Sequence, residues 1–240
     1  MTDFIDIWSY LSQGPLLWLT ATLAAYALAD LAFVASGRRP YVNPVLIAVA
    51  MLSLLLWATD TAYATYFEGA QFVHFLLGPA TVSLALPLAD NLGRLRKVWL
   101  PVLLSLLAGS VTAAGSAIVI GQVLGLGPDV LASLAPKSAT APVAIGISQE
   151  LGGSPTLTAV LVLLTGITGA IVATPLLNLL GIRDWRARGF AVGLSSHGIG
   201  TARAFQVHPT AGAFAGLGMA LNAVATALIA PLVLSLFLQP

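Results

Sequence analysis

The chain has 240 residues, of which 58% are of hydrophobic type and only 8% are charged. A soluble domain carries roughly 25% charged residues, so this composition excludes a mainly water-facing surface and predicts an integral membrane protein. The absence of cysteine excludes disulfides and thiolate chemistry, and a formal net charge of +1 gives no indication of a nucleic-acid partner.

Charges and Gly, Pro and Asn turn signals divide the chain into eight apolar segments. The segments span residues 15–36, 42–59, 72–89, 98–124, 129–148, 154–182, 189–206 and 210–238. The stretch that holds Asp60 and Glu68 is interpreted as the loop between the second and third segments. Because no hydrophilic stretch is long enough for a soluble domain, we predict an all-α integral membrane protein with a single polytopic domain over residues 1–240.

The two halves of the chain open their segments with similar turn signals. Gly14-Pro15 opens the first segment as Gly127-Pro128 opens the fifth. In the same way, Asn43-Pro44 opens the second segment and Ser154-Pro155 opens the sixth. This order predicts an internal duplication, with one repeat over residues 15–124 and the other over residues 128–238. Internal repeats are typical of secondary transporters.

Three basic clusters constrain the topology, because Lys and Arg in short loops favour the cytoplasmic side. They lie at Arg38-Arg39, Arg94–Lys97 and Arg183–Arg188. Three full crossings between the last two clusters would place them on opposite sides, so one intervening segment is predicted not to cross. The fifth segment is interpreted as broken or re-entrant, because Pro136 and Pro142 interrupt it. The two repeats are then inverted, which fits alternating access.

Lys137 lies between these two prolines, in the middle of its segment. A charge at the bilayer centre costs several kcal/mol when it is unpaired, so we expect an anionic partner. Ser138 and Thr140 place hydroxyls beside the lysine as further candidate contacts. The alternative is a lysine that snorkels to an interface or pairs with Glu150.

A second broken segment is predicted at Ser195–Arg203, where glycines and hydroxyls interrupt an apolar run. Unwound backbone N–H groups, the hydroxyls of Ser196 and Thr201, and the Arg203 guanidinium are candidate contacts for a carboxylate. His197 is a candidate proton-coupling group. The alternatives are an interfacial anchor for Arg203, a packed and hydrogen-bonded histidine, and glycines that serve close helix packing.

A third interruption, Gly78-Pro79-Ala80-Thr81, offers the Thr81 hydroxyl as a substrate contact, with a plain proline kink as the alternative. Nothing resembles a nucleotide-binding loop, a zinc signature or a Ser-His-Asp arrangement, so no enzyme activity, metal or cofactor is expected. Segments two, four, six and eight carry no charge. They are expected to form the scaffold and the contact of a homodimer.

The runs Leu134–Ile145, Ala187–Arg203 and Leu77–Pro87 resemble the signature stretches of the LrgB/CidB family. The resemblance implies a multi-pass protein of the bacterial inner membrane. Bacterial members of that family are named for holin- or antiholin-like control of murein hydrolase activity, and plastid relatives are similar to glycolate/glycerate translocators. Transport of small carboxylates, pyruvate included, is also attributed to bacterial members.

These observations favour a transporter of small organic carboxylates in the lipid bilayer, with a coupled proton or cation. A carrier needs fixed polar groups near the midplane, and Lys137 and Arg203, one in each broken segment, are predicted to bind the anion together. The alternative is a holin/antiholin-like regulator of murein hydrolase export and cell lysis, which would leave both cations unexplained. A regulatory partner subunit of another membrane protein is a third interpretation.

Overall fold

The computed structural model describes residues 14–76 and 98–237, together with the isolated positions 79, 82 and 93. Within these ranges the regular structure is entirely helical. The helices are α1 (Pro15–Ala35), α2 (Pro44–Ala58), α3 (Tyr63–Phe75), α4 (Trp99–Val123), α5 (Pro128–Leu134), α6 (Ala141–Glu150), α7 (Pro155–Leu179), α8 (Trp185–Val207) and α9 (Pro209–Phe237). The chain divides into two compact units, residues 1–83 and residues 84–240.

In the part of the chain that the structure describes, four helices are long and apolar enough to cross a membrane: α1, α4, α7 and α9. The shorter helix α2 is also apolar. Several of these helices begin with a proline directly after an extended residue, where the missing N–H would have no helical partner. Asn43 and Ser154 add side-chain caps, since their oxygens accept hydrogen bonds from the backbone N–H groups of Leu46 and Leu157.

The first unit packs α1 against α2 and α3, and α3 departs from the sequence prediction. The stretch around Glu68, interpreted as a loop, is helical from Tyr63, nine residues before the start predicted for the third segment. Gly69 is not a turn residue but a packing residue: a Cβ there would lie 2.8 Å from the Trp18 Cβ and 2.8 Å from the Leu19 backbone nitrogen. The remainder of the predicted third segment, including Thr81, lies outside the described residues.

The long helices of the second unit define its two ends. Hydrogen bonds join Ser110 to Asn222 and Gln122 to Phe237, so α4 and α9 run in the same direction. Arg188, in the first turn of α8, donates to Asn178 in the last turn of α7 over 2.8 Å. We call the end where α7 finishes and α8 begins the arginine end, because it carries Arg183, Arg186 and Arg188.

The predicted fifth segment is broken, as the prolines indicated. Helix α5 ends at Leu134, residues 135–140 form turns, and α6 begins at Ala141. Thr158, in the first turn of α7, contacts Ser148 over 2.7 Å and the Ser133 carbonyl over 3.2 Å. One turn further along α7, Val162 forms a buried cluster with two alanines of the turn region and α6. Residues 128–150 therefore form a helical hairpin, hairpin A, which opens at the start of α7.

The predicted break in the seventh segment is also present, and the chain reverses there. Within α8, Ser196 has φ −131° and His197 has φ 40° and ψ −135°, both outside the helical region. The Trp185 and His208 rings stack with centroids 4.7 Å apart, whereas a straight helix would separate these residues by about 35 Å. Residues 185–207 therefore form a second hairpin, hairpin B, which opens at the arginine end.

Each hairpin is followed by a long helix, and the two hairpins open at opposite ends of the second unit. Hairpin A precedes α7, and hairpin B precedes α9. The duplication of residues 15–124 onto residues 128–238 stays a prediction. Helix α1 is continuous over 21 residues, whereas its predicted counterpart is the interrupted hairpin A.

Glycines allow the first arm of hairpin B to lie directly on α9. A Cβ at Gly189 would overlap the carbonyl oxygen of Ala211, and a Cβ at Gly193 would overlap that of Ala215. The four-residue spacing on both helices brings the two backbones together along one face, as small residues do between membrane helices.

Replacing Gly193 by valine is expected to abolish the yield of folded protein. The added side chain would meet the Ala215 backbone, which cannot rotate away, so the loss should exceed the ~1–3 kcal/mol typical of an overpacked core. Gly146→Val is the matched control, because a Cβ at Gly146 has no heavy atom within 4 Å. Detergent-solubilised yield and thermal unfolding measure both variants. Equal stability of the two would contradict the close approach.

Candidate functional site

The tips of the two hairpins line one open cavity of about 850 Å³ in the second unit. Lys137 and Ser138 come from the tip of hairpin A, and Ser195 and Ser196 come from the tip of hairpin B. Helices α4 and α7 supply the other walls, which are mainly apolar: α4 contributes small residues, and α7 contributes leucine and valine side chains as well as small ones. One ammonium group and several hydroxyls thus meet inside an otherwise apolar cavity, where two helices are interrupted.

Lys137 is half-buried, and its ammonium lies 3.3 Å from the Ser138 hydroxyl. Among the described residues, the salt bridge that forms joins Arg186 in the first turn of hairpin B to Asp184, the residue before the hairpin. The pair with Glu150 that was considered from the sequence does not form. No carboxylate of the described chain therefore neutralises Lys137, and the cavity presents its charge to whatever enters.

The reversal in hairpin B is held by hydrogen bonds from side chains to carbonyl groups. The His197 ring lies with Nε2 at 2.8 Å from the Val162 carbonyl of α7, and the Thr201 hydroxyl donates to the His197 carbonyl over 2.8 Å. Because a carbonyl can only accept, Nε2 carries the proton of this hydrogen bond. His197 and Thr201 are buried, so they support the tip from behind the cavity.

Two glycines of α7 allow the tip of hairpin B to approach that helix closely. A Cβ at Gly166 would lie 2.5 Å from the His197 Cε1 atom, and a Cβ at Gly169 would overlap the Ser196 hydroxyl. These two glycines of α7 thus serve close packing, a role that was considered from the sequence for the glycines of hairpin B.

Asn222 of α9 is the residue that sequence reasoning missed. Its side-chain nitrogen donates to the Ser138 carbonyl over 3.1 Å and to the Leu194 carbonyl over 3.0 Å, and its oxygen accepts from the Ser110 hydroxyl over 2.7 Å. Helix breaks release carbonyl groups of the preceding turn, and Asn222 satisfies one such group in each hairpin. The signal in the sequence is an asparagine inside a segment without charged residues, which the sequence prediction assigned to the scaffold.

The remaining candidate residues lie away from the large cavity. Arg203 lines a separate cavity of about 20 Å³ together with Trp185 and Arg188, near the arginine end. The structure therefore does not bring Arg203 and Lys137 to one cavity. Thr140 precedes the first residue of α6 and is not part of the cavity lining.

The polar groups of the cavity are mainly hydrogen-bond donors, which can bind an anion. An ammonium group supplies three donors and no acceptor, and the nearby serine hydroxyls can donate to a carboxylate oxygen. Among the described residues, no group of three or more His, Cys, Asp or Glu side chains could hold a metal ion.

These features define an all-helical membrane protein whose candidate site lies between two interrupted helical hairpins. The chain belongs to the LrgB-like family, whose model matches residues 22–236.

Several curated proteins are similar to most of the chain. The Holin-like protein CidB of Staphylococcus epidermidis is 34% identical over 200 residues, which is 83% of this chain and 87% of the relative. The Uncharacterized protein YwbG of Bacillus subtilis is 35% identical over 82% of this chain and 88% of its own length. The Holin-like protein CidB of Staphylococcus aureus is 32% identical over 82% of this chain and 86% of its own length. No solved structure matches the chain.

Proposed function

We propose that this protein is a membrane transporter of small organic carboxylates, which bind in the cavity between the tips of hairpins A and B. The observation that carries this proposal is Lys137, whose charge lies at a hairpin tip without a carboxylate of the described chain. A bound carboxylate would supply a negative charge beside Lys137. An ammonium group without such a partner is costly in a low-dielectric interior.

The placement of the hairpins supports alternating access. Interrupted helices that enter from opposite ends are typical of inverted-repeat transporters, whose site lies at the repeat interface. The cavity walls combine leucine and valine side chains with small residues and hydroxyls, so the polar contacts for a carboxylate are concentrated at the hairpin tips and on the threonines of α4 and α7. We further propose that the protein is a homodimer in the bacterial inner membrane. Transport is coupled to a proton or cation, with His197 as the titrating group.

The names of the relatives favour a second candidate function. Two of them are called Holin-like protein CidB, and a holin/antiholin-like regulator of murein hydrolase export and lysis acts through helix surfaces that assemble. Helix α9 offers such a surface, because large apolar side chains are exposed at every fourth position: Val224, Leu228, Leu232 and Leu236.

Reconstitution separates the two candidates. Proteoliposomes that contain the purified protein are incubated with labelled glycolate, glycerate, lactate and pyruvate, and parallel vesicles are loaded with a dye larger than these acids. A carrier gives saturable uptake of at least one acid with the dye retained. Release of the dye without saturable uptake would replace the carrier with the holin-like function. Neither uptake nor release from the purified protein would favour a regulatory subunit.

A further inference from the structure

A second cavity of about 440 Å³ lies between α4 and the first arm of hairpin B, and we call it the lateral groove. A wall separates it from the cavity of Lys137, because Gly109 of α4 packs directly against the side chain of Leu194. A Cβ at Gly109 would lie 2.8 Å and 2.9 Å from the two methyl groups of that leucine. A molecule in the lateral groove would therefore not reach Lys137 through this contact.

The lateral groove is long, apolar and open along its side. Its lining on α4 extends over residues 98–109, which is about 16 Å of helix. Its lining on the chain that enters hairpin B extends over residues 184–194. Ala187 on its rim is exposed. The floor consists of buried apolar side chains: Phe190, Leu194 and Phe214.

One end of the lateral groove carries the salt bridge between Arg186 and Asp184. Hydrogen bonds from Arg186 lower the pKa of Asp184 to about 2, so the pair is ionised at neutral pH. Arg186 donates to the carboxylate through Nε and Nη2, whereas its Nη1 has no hydrogen-bond partner among the described residues. Asp184 thus holds the guanidinium in place and leaves donors for a further anion.

The surroundings of this end are positively charged. Asp184 balances one arginine only, and the neighbouring Arg183 is exposed. Val98, which lines the opposite wall of the groove, directly follows the basic run Arg94–Lys97 in the sequence. Lys and Arg beside the ends of membrane helices favour the cytoplasmic side, where anionic lipids give the membrane surface a negative potential.

We propose that the lateral groove binds an anionic phospholipid of the cytoplasmic leaflet. One acyl chain lies on the apolar floor, and the phosphate accepts hydrogen bonds from Nη1 of Arg186. Basic pockets between membrane helices on the cytoplasmic side bind anionic headgroups, and charge-assisted hydrogen bonds from arginine to phosphate are strong. A zwitterionic headgroup would bring an ammonium group to an end that is already positive, so it binds less well.

A transmembrane helix of a second copy is the other occupant that such a groove could hold. The long helices of the second unit, α4, α7 and α9, contain no acidic residue. None of them would therefore bring a negative charge to Arg186. The charged end of the groove favours the lipid for this reason.

The lipid would act on hairpin B. Phe190 and Leu194 of the first arm form one buried cluster with Phe214 of α9, and Val98 and Val102 of α4 pack against this cluster. An acyl chain in the lateral groove would cover the open side of the cluster and hold hairpin B against α4. The inference does not depend on carboxylate transport, because the lipid is separate from the cavity of Lys137.

Native mass spectrometry of the detergent-solubilised full chain tests the site. The protein is incubated with phosphatidylglycerol or with phosphatidylcholine that has the same acyl chains. We expect a single tightly retained phosphatidylglycerol per chain. Phosphatidylcholine should bind at least about tenfold more weakly, since the net negative charge contributes the difference. Glycerol 3-phosphate, which has the phosphate without acyl chains, should not be retained.

Two variants test the headgroup and the acyl chain separately. Arg186→Gln should weaken phosphatidylglycerol binding at least about tenfold, whereas Arg183→Gln removes a charge outside the groove lining and should not. Ala187→Trp fills the groove, keeps every charge and should abolish the adduct. Its control is Ala202→Trp, at an exposed position of the second arm of hairpin B. Because Ala187 is exposed, Ala187→Trp keeps the test decisive if Arg186→Gln folds poorly.

Three results would overturn the lipid site. Equal retention of the two lipids would show that the contact is not selective for an anionic headgroup. Undiminished phosphatidylglycerol binding by folded Ala187→Trp or by folded Arg186→Gln would place the lipid elsewhere. The chain contains no cysteine, so Ala187→Cys introduces a single thiol at the groove. Efficient disulfide linkage of two chains through this thiol, without a lipid adduct, would show a second copy in the groove and reject the lipid.

Discussion

Replacing Lys137 by methionine is expected to abolish carboxylate uptake and the protection that carboxylates give against thermal unfolding. A ligand present at 100 times its Kd stabilises the folded state by about 2.7 kcal/mol, and the variant should show no such shift. Methionine keeps an unbranched side chain that is one atom shorter, and it removes the charge. Because an unpaired charge at depth is costly, the ligand-free variant should be at least as stable as the parent, which distinguishes a lost site from a misfolded protein.

Two controls make the Lys137 result specific. Arg183→Ala removes one positive charge from an exposed loop position that does not line the cavity of Lys137, and it should keep uptake and ligand protection. Lys137→Arg keeps the charge but replaces a compact ammonium by a planar guanidinium, so partial binding is expected. Uptake by Lys137→Met at the rate of the parent would reject the anion site.

Hairpin A was predictable because two kinds of sequence signal agreed. Pro136 and Pro142 interrupt an apolar segment. In addition, three full crossings between the last two basic clusters would have placed these clusters on opposite sides of the membrane. The structure places the interruption at residues 135–140 and closes the hairpin through polar contacts near the start of α7. A local signal was sufficient here, since proline acts on the helix that contains it.

Hairpin B was predictable as a break but not as a reversal. Glycine-rich sequence indicates a weak helix, whereas the direction of the chain after the break depends on what it packs against. Gly189 and Gly193 let the first arm lie on α9, and a Cβ at Gly200 would lie only 3.0 Å from a Val192 methyl group of the same hairpin. These contacts are tertiary, and no periodicity in the segment encodes them.

The reversal explains why Arg203 lies away from Lys137. In a straight helix Arg203 would lie about 9 Å beyond His197 along the axis, further from the arginine end. Because the chain turns back at His197, Arg203 returns toward Trp185 and Arg188. The sequence identified the ionisable residues of the two broken segments. Which of them face the cavity depends on where the second arm of hairpin B packs, and the sequence does not show this.

The role of Asn222 could not be predicted from the sequence, because it too depends on tertiary contacts. An asparagine in an apolar segment is compatible with a cap, a lipid-facing position or a buried junction, and only the neighbouring helices decide among these. Here its amide meets carbonyl groups of both hairpins and a hydroxyl of α4. The segment expected to be scaffold thus contains the residue that joins the two tips.

Replacing Asn222 by leucine is expected to have the largest effect on stability of any single change at the site. Asn222 is 1% exposed, and leucine fills similar space without donors or acceptors. The change would leave the Ser138 carbonyl, the Leu194 carbonyl and the Ser110 hydroxyl without this partner. A buried polar group left unsatisfied costs about 1–3 kcal/mol, so three of them should lower the free energy of unfolding by at least about 3 kcal/mol.

A graded series distinguishes this junction from ordinary packing. Ser110→Ala removes one of the three hydrogen bonds and should cost about 1 kcal/mol, and its effect should largely vanish in the Asn222→Leu background, because the shared bond is already lost. Ser235→Ala is the control on α9, since that exposed hydroxyl bonds only within its own helix. Thermal unfolding in detergent measures the parent and the four variants, with and without carboxylate. Since Asn222 holds both tips, Asn222→Leu should also weaken carboxylate protection although the residue does not line the cavity. Additive effects of Ser110→Ala and Asn222→Leu, with carboxylate protection equal to that of the parent, would contradict a junction between the hairpins.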